Sequence, residues 1–267
     1  MVIISDVLEF LKSAAPLEMK MDFDNVGLLV GRAGDVLSKV IVSLDITSDV
    51  VTEALDTGAQ LVVSHHPLFF SINSVTDADV TGRKIVRMLS GGVSAICMHT
   101  NLDAARGGVG DALAVAAGIA SSGNPAGLLA DEGRLETGEA FSYGRVGHLA
   151  SPLPLKEYMA SLKAALGVGV IRYYDSGRAA HKVAVVSGSG GSHFEHAAAQ
   201  GCDTFVTPDL KNDYFLEAKE RGINLIDADH FCTENVVVAP LASKLQAAFP
   251  GVDVRVSEKH SQTVNFY

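Results

Sequence analysis

The chain has 267 residues, with 21 Lys and Arg against 31 Asp and Glu, which gives a formal net charge of −10 at pH 7. Because 48% of the residues are hydrophobic and 19% are charged, the chain can bury a large core and does not belong to the disordered class. No apolar run approaches the roughly 18 residues that a membrane span needs. The acidic balance argues against a broad nucleic-acid-binding surface, which usually carries an excess of basic residues.

Cysteine usage indicates a reducing compartment. The three cysteines, Cys97, Cys202 and Cys232, are an odd number and form no CxxC pair. The N-terminus also lacks the positive region and cleavage pattern of a signal peptide. We therefore expect a cytoplasmic protein in which all three cysteines are reduced core thiols.

The first half of the chain alternates short apolar strands with helical segments. A first helix is predicted from Ser5, which can act as its N-cap, to Lys12, and Pro16 ends it. The predicted strands that follow are Lys39–Leu44, Gln60–Ser64 and Val93–Met98, and the predicted helices are Ser48–Leu55, Lys84–Leu89 and Val109–Ala117. This alternation predicts an α/β fold with mainly parallel strands.

The second half repeats the pattern of the first. Lys39–Ser43 aligns with Lys182–Val186, and Thr57–Ser64 aligns with Gln200–Thr207, both 143 positions further along. Ala95–Met98 aligns with Leu225–Ala228 at an offset of 130 positions. These offsets favour two related α/β halves, although βαβ units in general resemble one another.

The segment between the halves sets the predicted domain boundary. Ser121–Glu139 is rich in Gly, Ala and Asp and is typical of a loop or linker. The remaining predicted elements are a strand at Phe141–His148, a helix at Ser151–Leu166, and strands at Ile171–Tyr174, Val252–Val256 and Thr263–Tyr267. If the last two strands return to the first half, the first α/β domain comprises residues 1–125 plus 235–267, and the second comprises 126–234.

Polar side chains that bind metals follow three of the predicted strands, where sites collect in open α/β sheets. The first group is His65-His66-Pro67, and the second runs from His99 to Asp103. The third runs from Asp227 to Glu234, where a helix beginning at His230 would place His230 and Glu234 on one face. The candidate metal ligands are His65, His66, Asp103, His230 and Glu234.

This mixture of imidazoles and carboxylates suits Zn, Fe, Mn or Ni. Four of the five candidates would serve one metal, and two metals become natural if Asp103 or Glu234 bridges them at roughly 3.5–4 Å. A structural role for a histidine at the end of a strand is the alternative. The other histidines have no such context and are interpreted as surface or core residues: His148, His181, His193, His196 and His260.

A glycine-rich turn, Gly188-Ser-Gly-Gly-Ser192, lies between a predicted strand and a predicted helix. Its amides could bind a phosphate, but the turn lacks the lysine of a P-loop and the spacing of a dinucleotide fingerprint. A plain turn is an equally good interpretation.

Several motifs in order along nearly the whole chain resemble one protein family. They are Asp24–Gly31 (DNVGLLVG), Ser64–Leu68 (SHHPL), His99–Ala104 (HTNLDA) with Gly108–Asp111 (GVGD), and Gly222–His230 (GINLIDADH) with Thr233-Glu234. The chain thereby resembles the dinuclear-metal-centre hexameric proteins, which are named as GTP cyclohydrolase I type 2 homologues. The resemblance implies that the same five residues bind two metals, and that two similar α/β domains hold these metals in the cleft between them. It also implies a ring of six subunits.

The segment Thr207–Asp213 departs from the family pattern. Pro208 stands where the family often has Gly, and Asp213 stands where it often has His. The candidate proton acceptor in any catalysis is a bridging carboxylate or Asp213.

Two functions from different classes fit these observations. The first is a metal-dependent hydrolase of a small molecule or nucleotide, which uses a metal to activate water; local Lys211, Arg106 or Arg145 would have to offset the acidic charge around a triphosphate. The sequence has no Gly-x-Ser-x-Gly nucleophile elbow at a strand–helix turn. The alternative is a non-catalytic hexameric metal-binding or regulatory protein. DNA passing through the ring is disfavoured by the net charge of −10.

Overall fold

The computed structural model describes residues 1–119, 135, 141–265 and 267, which fall into two compact units. The first unit contains Met1–Ala105 and Val238–Thr263, and the second contains Arg106–Val237 and Val264–Tyr267. Residues 106–119 thus group with the second unit, whereas the domain boundary predicted at residue 125 places them with the first. The predicted linker Ser121–Glu139 lies outside the described residues except for Leu135. Among the described residues, no helix has the length and apolarity needed to cross a bilayer.

The regular elements of the described chain are as follows. The helices are α1 (Ile4–Ala14), α2 (Ser48–Thr57), α3 (Val80–Ser90), α4 (Thr100–Ala104), α5 (Val109–Ala116), α6 (Leu155–Leu166), α7 (Phe194–Ala199), α8 (Asn212–Arg221), α9 (His230–Asn235) and α10 (Val238–Ala248). The strands are β1 (Gly27–Val30), β2 (Lys39–Ser43), β3 (Leu61–Ser64), β4 (Ser94–Cys97), β5 (Gly144–Leu153), β6 (Arg172–Tyr174), β7 (Ala180–Val186), β8 (Thr204–Val206), β9 (Asn224–Asp227) and β10 (Asp253–Val256). The fold is mixed α/β with two sheets.

The sheet of the first unit has the strand order β1-β4-β3-β2-β10. Strands β2, β3, β4 and β10 run parallel, and β1 pairs antiparallel with β4. Every residue of β3 and β4 is buried, which is why both strands read as continuous apolar runs. Strand β10, the first of the two predicted C-terminal strands, pairs with β2 in this sheet.

The sheet of the second unit has the order β5-β7-β8-β9-β6. Its three central strands, β7, β8 and β9, run parallel, and both edge strands are antiparallel to them. The strand register matches that of the first unit. Val40 pairs with Leu61, and Val183 pairs with Thr204, so both partners lie 143 positions further along. Leu61 likewise pairs with Ser94, and Thr204 pairs with Asn224, which lies 130 positions after Ser94.

Helices cover both faces of the second sheet. Val183 and Val185 belong to one hydrophobic cluster with residues of α5 and α6, whereas the alternating Ala184 and Val186 belong to another with residues of α7 and α8. Side chains alternate between the two faces along a strand, so each face packs against its own pair of helices. In the first unit, α2 and α3 pack on the central strands in a third cluster.

Capping residues define the ends of α2, and the structure corrects two predictions made from the sequence. Helix α2 begins after Thr47, whose hydroxyl accepts from the Val50 amide, and it ends at Gly58 in the left-handed conformation. Ser5 lies inside α1 and does not cap it, because the helix begins at Ile4 and the Asp6 carboxylate accepts from the Ile3 amide. The predicted strand Thr263–Tyr267 is also wrong, since Thr263–Asn265 carry no regular structure.

Candidate metal centre

Three imidazoles meet at one edge of the first sheet. His65 and His66 directly follow β3, and His99 follows the neighbouring parallel strand β4. Because parallel strands end at the same edge, the three side chains converge, and one ligand atom from each lies within 4.8 Å of the others. His65 and His66 are ligands predicted from the sequence, whereas His99 was not predicted as one.

Each of these imidazoles is held at its Nδ1 atom. His65 Nδ1 lies 3.0 Å from the Met98 carbonyl oxygen, His66 Nδ1 lies 2.7 Å from Asp45 Oδ1, and His99 Nδ1 lies 2.8 Å from Asp24 Oδ1. Carbonyl and carboxylate oxygens only accept, so Nδ1 carries the proton in all three rings. A metal would then bind at the Nε2 atom of the ring, an arrangement common around protein-bound metals.

Asp24 ties the chain before β1 to the start of α4. Its Oδ2 accepts from the amide of Thr100 at 3.0 Å and from the Thr100 hydroxyl at 2.5 Å, while Oδ1 accepts from His99. Burial alone would raise the pKa of Asp24, but the hydrogen bonds with His99 and Thr100 lower it to about 2. A permanently charged carboxylate therefore orients His99.

Asp45 has the equivalent role for His66 and brings in the C-terminal segment. Its Oδ2 lies 2.9 Å from Nε2 of His260. Burial would raise the pKa of Asp45, but the hydrogen bonds with His260 and His66 hold it well below its usual range. His260 thus contacts the same carboxylate as the candidate ligand His66. It was not expected from the sequence to lie near the site.

Asp103 reaches the same cluster from α4. The residue is buried, and its Oδ1 lies 3.7 Å from Nε2 of His65. A carboxylate and an imidazole whose ligand atoms face each other at this distance can bind one cation between them.

The second unit brings together the other two predicted ligands. Helix α9 begins at His230, as predicted, and places Glu234 one turn later, with His230 Nε2 lying 3.1 Å from Glu234 Oε2. His230 Nδ1 lies 2.7 Å from Oδ2 of Asp209, in the turn after β8. Asp229 caps the helix by accepting from the Cys232 amide.

His230 stands between two carboxylates. Burial lowers the pKa of an imidazole, but Glu234 and Asp209 outweigh it and raise the pKa of His230 to about 9. The same negative field that stabilises an added proton also attracts a metal cation.

Gly188 allows the close approach of Glu234. It adopts a left-handed conformation with φ of +59°, and a Cβ at this position would lie 2.5 Å from Glu234 Oε1. The other glycines of this turn also pack closely, because a Cβ on Gly191 would lie 2.7 Å from the Tyr214 ring. Close packing therefore accounts for the glycine-rich turn without a phosphate.

Other residues considered from sequence have different surroundings. Asp213 is exposed in the first turn of α8. Arg145 is buried in an ion pair with Asp111 at 2.5 Å, so it does not offer its guanidinium to a triphosphate.

The three cysteines are buried and free, as expected, and burial raises the pKa of Cys202 to about 11 and of Cys232 to about 12. Thiols with such pKa values are poor nucleophiles at neutral pH.

The buried His, Asp and Glu side chains described above could hold a metal ion. Their nitrogen and oxygen donors fit the borderline divalent metals and not a thiolate site. Imidazoles dominate among the candidate ligands of the first unit, and two carboxylates flank His230 in the second.

Comparisons with known proteins place the chain in one family. The chain matches the family model described as Duf34/NIF3 (NGG1p interacting factor 3) over residues 2–263. It is 32% identical over 245 residues to a protein of Clostridium perfringens named GTP cyclohydrolase 1 type 2 homolog, covering 91% of each chain. It is 29% identical over 235 residues to a Helicobacter pylori protein named GTP cyclohydrolase 1 type 2, covering 88% of each.

A solved structure shares the whole architecture. The crystal structure of Staphylococcus aureus protein SA1388 superposes with a TM-score of 0.87 at 26% identity, covering 100% of this chain and 99% of that one. The family match spans nearly the entire chain and includes all the histidines and carboxylates described above. The chain therefore belongs to the Duf34/NIF3 family.

Proposed function

We propose that the protein binds two divalent metal ions through His65, His66, Asp103, His230 and Glu234, and hydrolyses a small molecule or nucleotide. The observation that carries the proposal is the set of imidazoles in the first unit whose Nδ1 atoms are bonded to fixed acceptors. This arrangement orients Nε2 for a metal before any metal binds, and preorganised ligands bind more tightly.

The proposal includes a common origin for the two units. The matched register of β2, β3 and β4 with β7, β8 and β9 supports a shared scaffold. In both units the candidate ligands follow the carboxyl ends of central parallel strands. Five ligands are more than one tetrahedral ion needs, which favours two metals.

When bound, a divalent cation lowers the pKa of a water molecule and makes hydroxide available near neutral pH. The protein's own residues supply the remaining functions. Asp24, Asp45 and Asp209 orient the imidazoles and keep negative charge beside them. His99, converging with His65 and His66, is placed to accept a proton, and exposed Asp213 is the second candidate for that role.

The names of the Clostridium perfringens and Helicobacter pylori relatives make hydrolytic opening of the GTP imidazole ring the first reaction to test. The test is to strip the protein of metal with a chelator, reload it with Zn, Fe, Mn or Ni, and follow turnover of GTP and of smaller nucleotides. We expect chelation to abolish turnover and reloading to restore it, while His66→Ala loses orders of magnitude in rate.

Cys202→Ser is the matched control and should keep most of the activity, since its thiol is buried and free. Full turnover in the stripped protein would exclude a metal-dependent mechanism. Metal binding without turnover of any nucleotide would favour the non-catalytic alternative, a metal-binding or regulatory protein.

We also propose that the chain assembles into a ring of six subunits in the cytoplasm, on the basis of its family membership. Several large apolar side chains are exposed between Phe70 and Val80, namely Phe70, Ile72, Val75 and Val80. An exposed apolar stretch of this kind suits a subunit contact. Light scattering should give about six times the 28.0 kDa chain mass, and a monomer at micromolar concentration would reject the ring.

A further inference from the structure

A pocket of about 320 Å³ opens beside Asp45 in the first unit. We propose that this pocket binds an oxyanion group, phosphate or carboxylate, of a small molecule, with the Lys84 ammonium as its main partner. Six of the polar and charged residues that line it are Asp45, Thr47, His66, Lys84, His260 and Thr263. Its volume lies at the lower end of the range for small-molecule sites.

Lys84 has hydrogen-bonding capacity to spare. It lies on α3, half-buried, and its Nζ donates to the Ile46 carbonyl oxygen at 2.7 Å. An ammonium has three protons to donate, and this is the single hydrogen bond of Lys84 within the described part of the chain. Burial lowers the pKa of Lys84, although Asp45 opposes the change. An anion in the pocket would compensate the partly desolvated charge.

Helix α2 adds a second attraction for anions. Its N-cap, Thr47, lines the pocket, and the Thr47 hydroxyl accepts from the Val50 amide at 3.2 Å. The helix runs for 10 residues from Ser48, so the positive end of its dipole lies at the pocket. The ammonium and the helix terminus therefore favour the same sign of ligand charge.

Asp45 is the fixed negative charge of this lining, and both of its oxygens lie within hydrogen-bonding distance of imidazole nitrogens. Oδ1 lies 2.7 Å from His66 Nδ1, and Oδ2 lies 2.9 Å from His260 Nε2. With both oxygens facing imidazole nitrogens, Asp45 repels an anion less than an exposed carboxylate would. His66, a ligand in the proposed function, also lines this pocket. If the proposed function holds, the anion that binds here is part of the substrate, and this identification is the only statement that rests on the proposed function.

The test uses the full chain stripped of metal, so it is independent of the metal-site proposal. Inorganic phosphate and acetate are titrated separately, and binding is followed by ³¹P line width and by NMR signals of ¹³C-labelled lysine. We expect Lys84→Met to weaken binding at least about tenfold, as loss of a charge-assisted hydrogen bond does. Lys84→Arg should retain binding, and the charge-matched control Lys12→Met, which removes the partner of Glu9 on α1, should leave it unchanged.

Stronger binding of phosphate or of acetate identifies the class of oxyanion, and either result supports the site. Equal affinity in the wild type and in Lys84→Met overturns it, as does absence of any binding by the wild type at tens of millimolar anion. Circular dichroism checks that Lys84→Met is folded. If it is not, the lysine signals of the wild type decide, because phosphate must shift those of Lys84 and not those of Lys12.

Discussion

The two units use one strand arrangement to present opposite chemistry. In the first, His65 and His66 follow β3; in the second, the corresponding positions 143 residues later hold Pro208 and Asp209. The first unit therefore offers imidazoles supported by carboxylates, and the second offers an imidazole surrounded by carboxylates. The sheet determines where a side chain projects, and the residue at that position determines what it can bind.

Removing one carboxylate ligand from either unit should have the largest effect. We expect Asp103→Ala and Glu234→Ala each to lower the metal content from about two ions per chain to one or fewer, because each removes a negatively charged oxygen donor from the proposed site. Elemental analysis after reloading measures this. The control Glu220→Ala, which removes an exposed carboxylate of α8, should retain both ions. If the wild-type protein binds no metal after reloading, neither unit holds a metal site.

The carboxylates behind the imidazoles should matter less, and to the same degree in both units. Asp45→Ala and Asp209→Ala each remove the partner of a histidine Nδ1. We expect about 10- to 100-fold weaker metal affinity in each variant, the usual cost of losing such a partner. Competition with a fluorescent chelator gives the affinities, with the exposed Asp56→Ala on α2 as the control. An effect in one unit and none in the other would show that the units do not support their ligands alike.

Gly188→Ala should damage the second unit selectively. The added Cβ would lie 2.5 Å from Glu234 Oε1, so we expect metal affinity to fall about tenfold. Gly201→Ala is a matched control, since Gly201 also has a positive φ but nothing lies within 4 Å of its Cβ position. If both variants bind metal equally well, the contact with Glu234 is not what requires glycine at position 188.

The smallest effect concerns the shared scaffold. Val63 in β3 and Val206 in β8 occupy corresponding positions, and both have 0% exposure. Val63→Ala and Val206→Ala should each lower the free energy of unfolding by about 1.5–3 kcal/mol, because each leaves an unfilled space in a packed core. Urea denaturation tests this, with exposed Val170→Ala as the control. A large difference between the two variants would mean that the cores differ more than the strand registers do.

The sequence predicted the central strands because they are buried on both faces and read as apolar runs. Strand β1 was not predicted. Its four residues, Gly27–Val30, lie inside the motif Asp24–Gly31, which was used only as a mark of the family resemblance. Thr263–Tyr267 was predicted as a strand, but it contributes no strand to either sheet in the residues described. A short segment of this kind forms a strand only if its backbone can pair with the edge strand of a sheet, and that depends on tertiary structure.

The five candidate ligands could be proposed because each lies at the end of a predicted strand. Their supporting residues could not, since hydrogen bonds between distant positions leave no periodic signal. Asp24 and His99 are 75 positions apart, and Asp45 and His260 are 215 positions apart. His99 belongs to the motif His99–Ala104. The signal that could have identified it is its position just after β4, since His65 and His66 lie just after the neighbouring strand β3.

The position of β10 has a consequence for how the chain folds during synthesis. This edge strand pairs with β2, so the first sheet joins residues near 40 to residues near 255. The second unit occupies most of the intervening chain, as Arg106–Val237, and its sheet can form from residues that leave the ribosome earlier. The first sheet, together with the His260 contact that supports His66 through Asp45, must wait until residues 253–260 have emerged. A ribosome stalled before β10 would therefore carry a chain whose second sheet can be complete while the first sheet still lacks an edge strand and Asp45 still lacks its contact with His260.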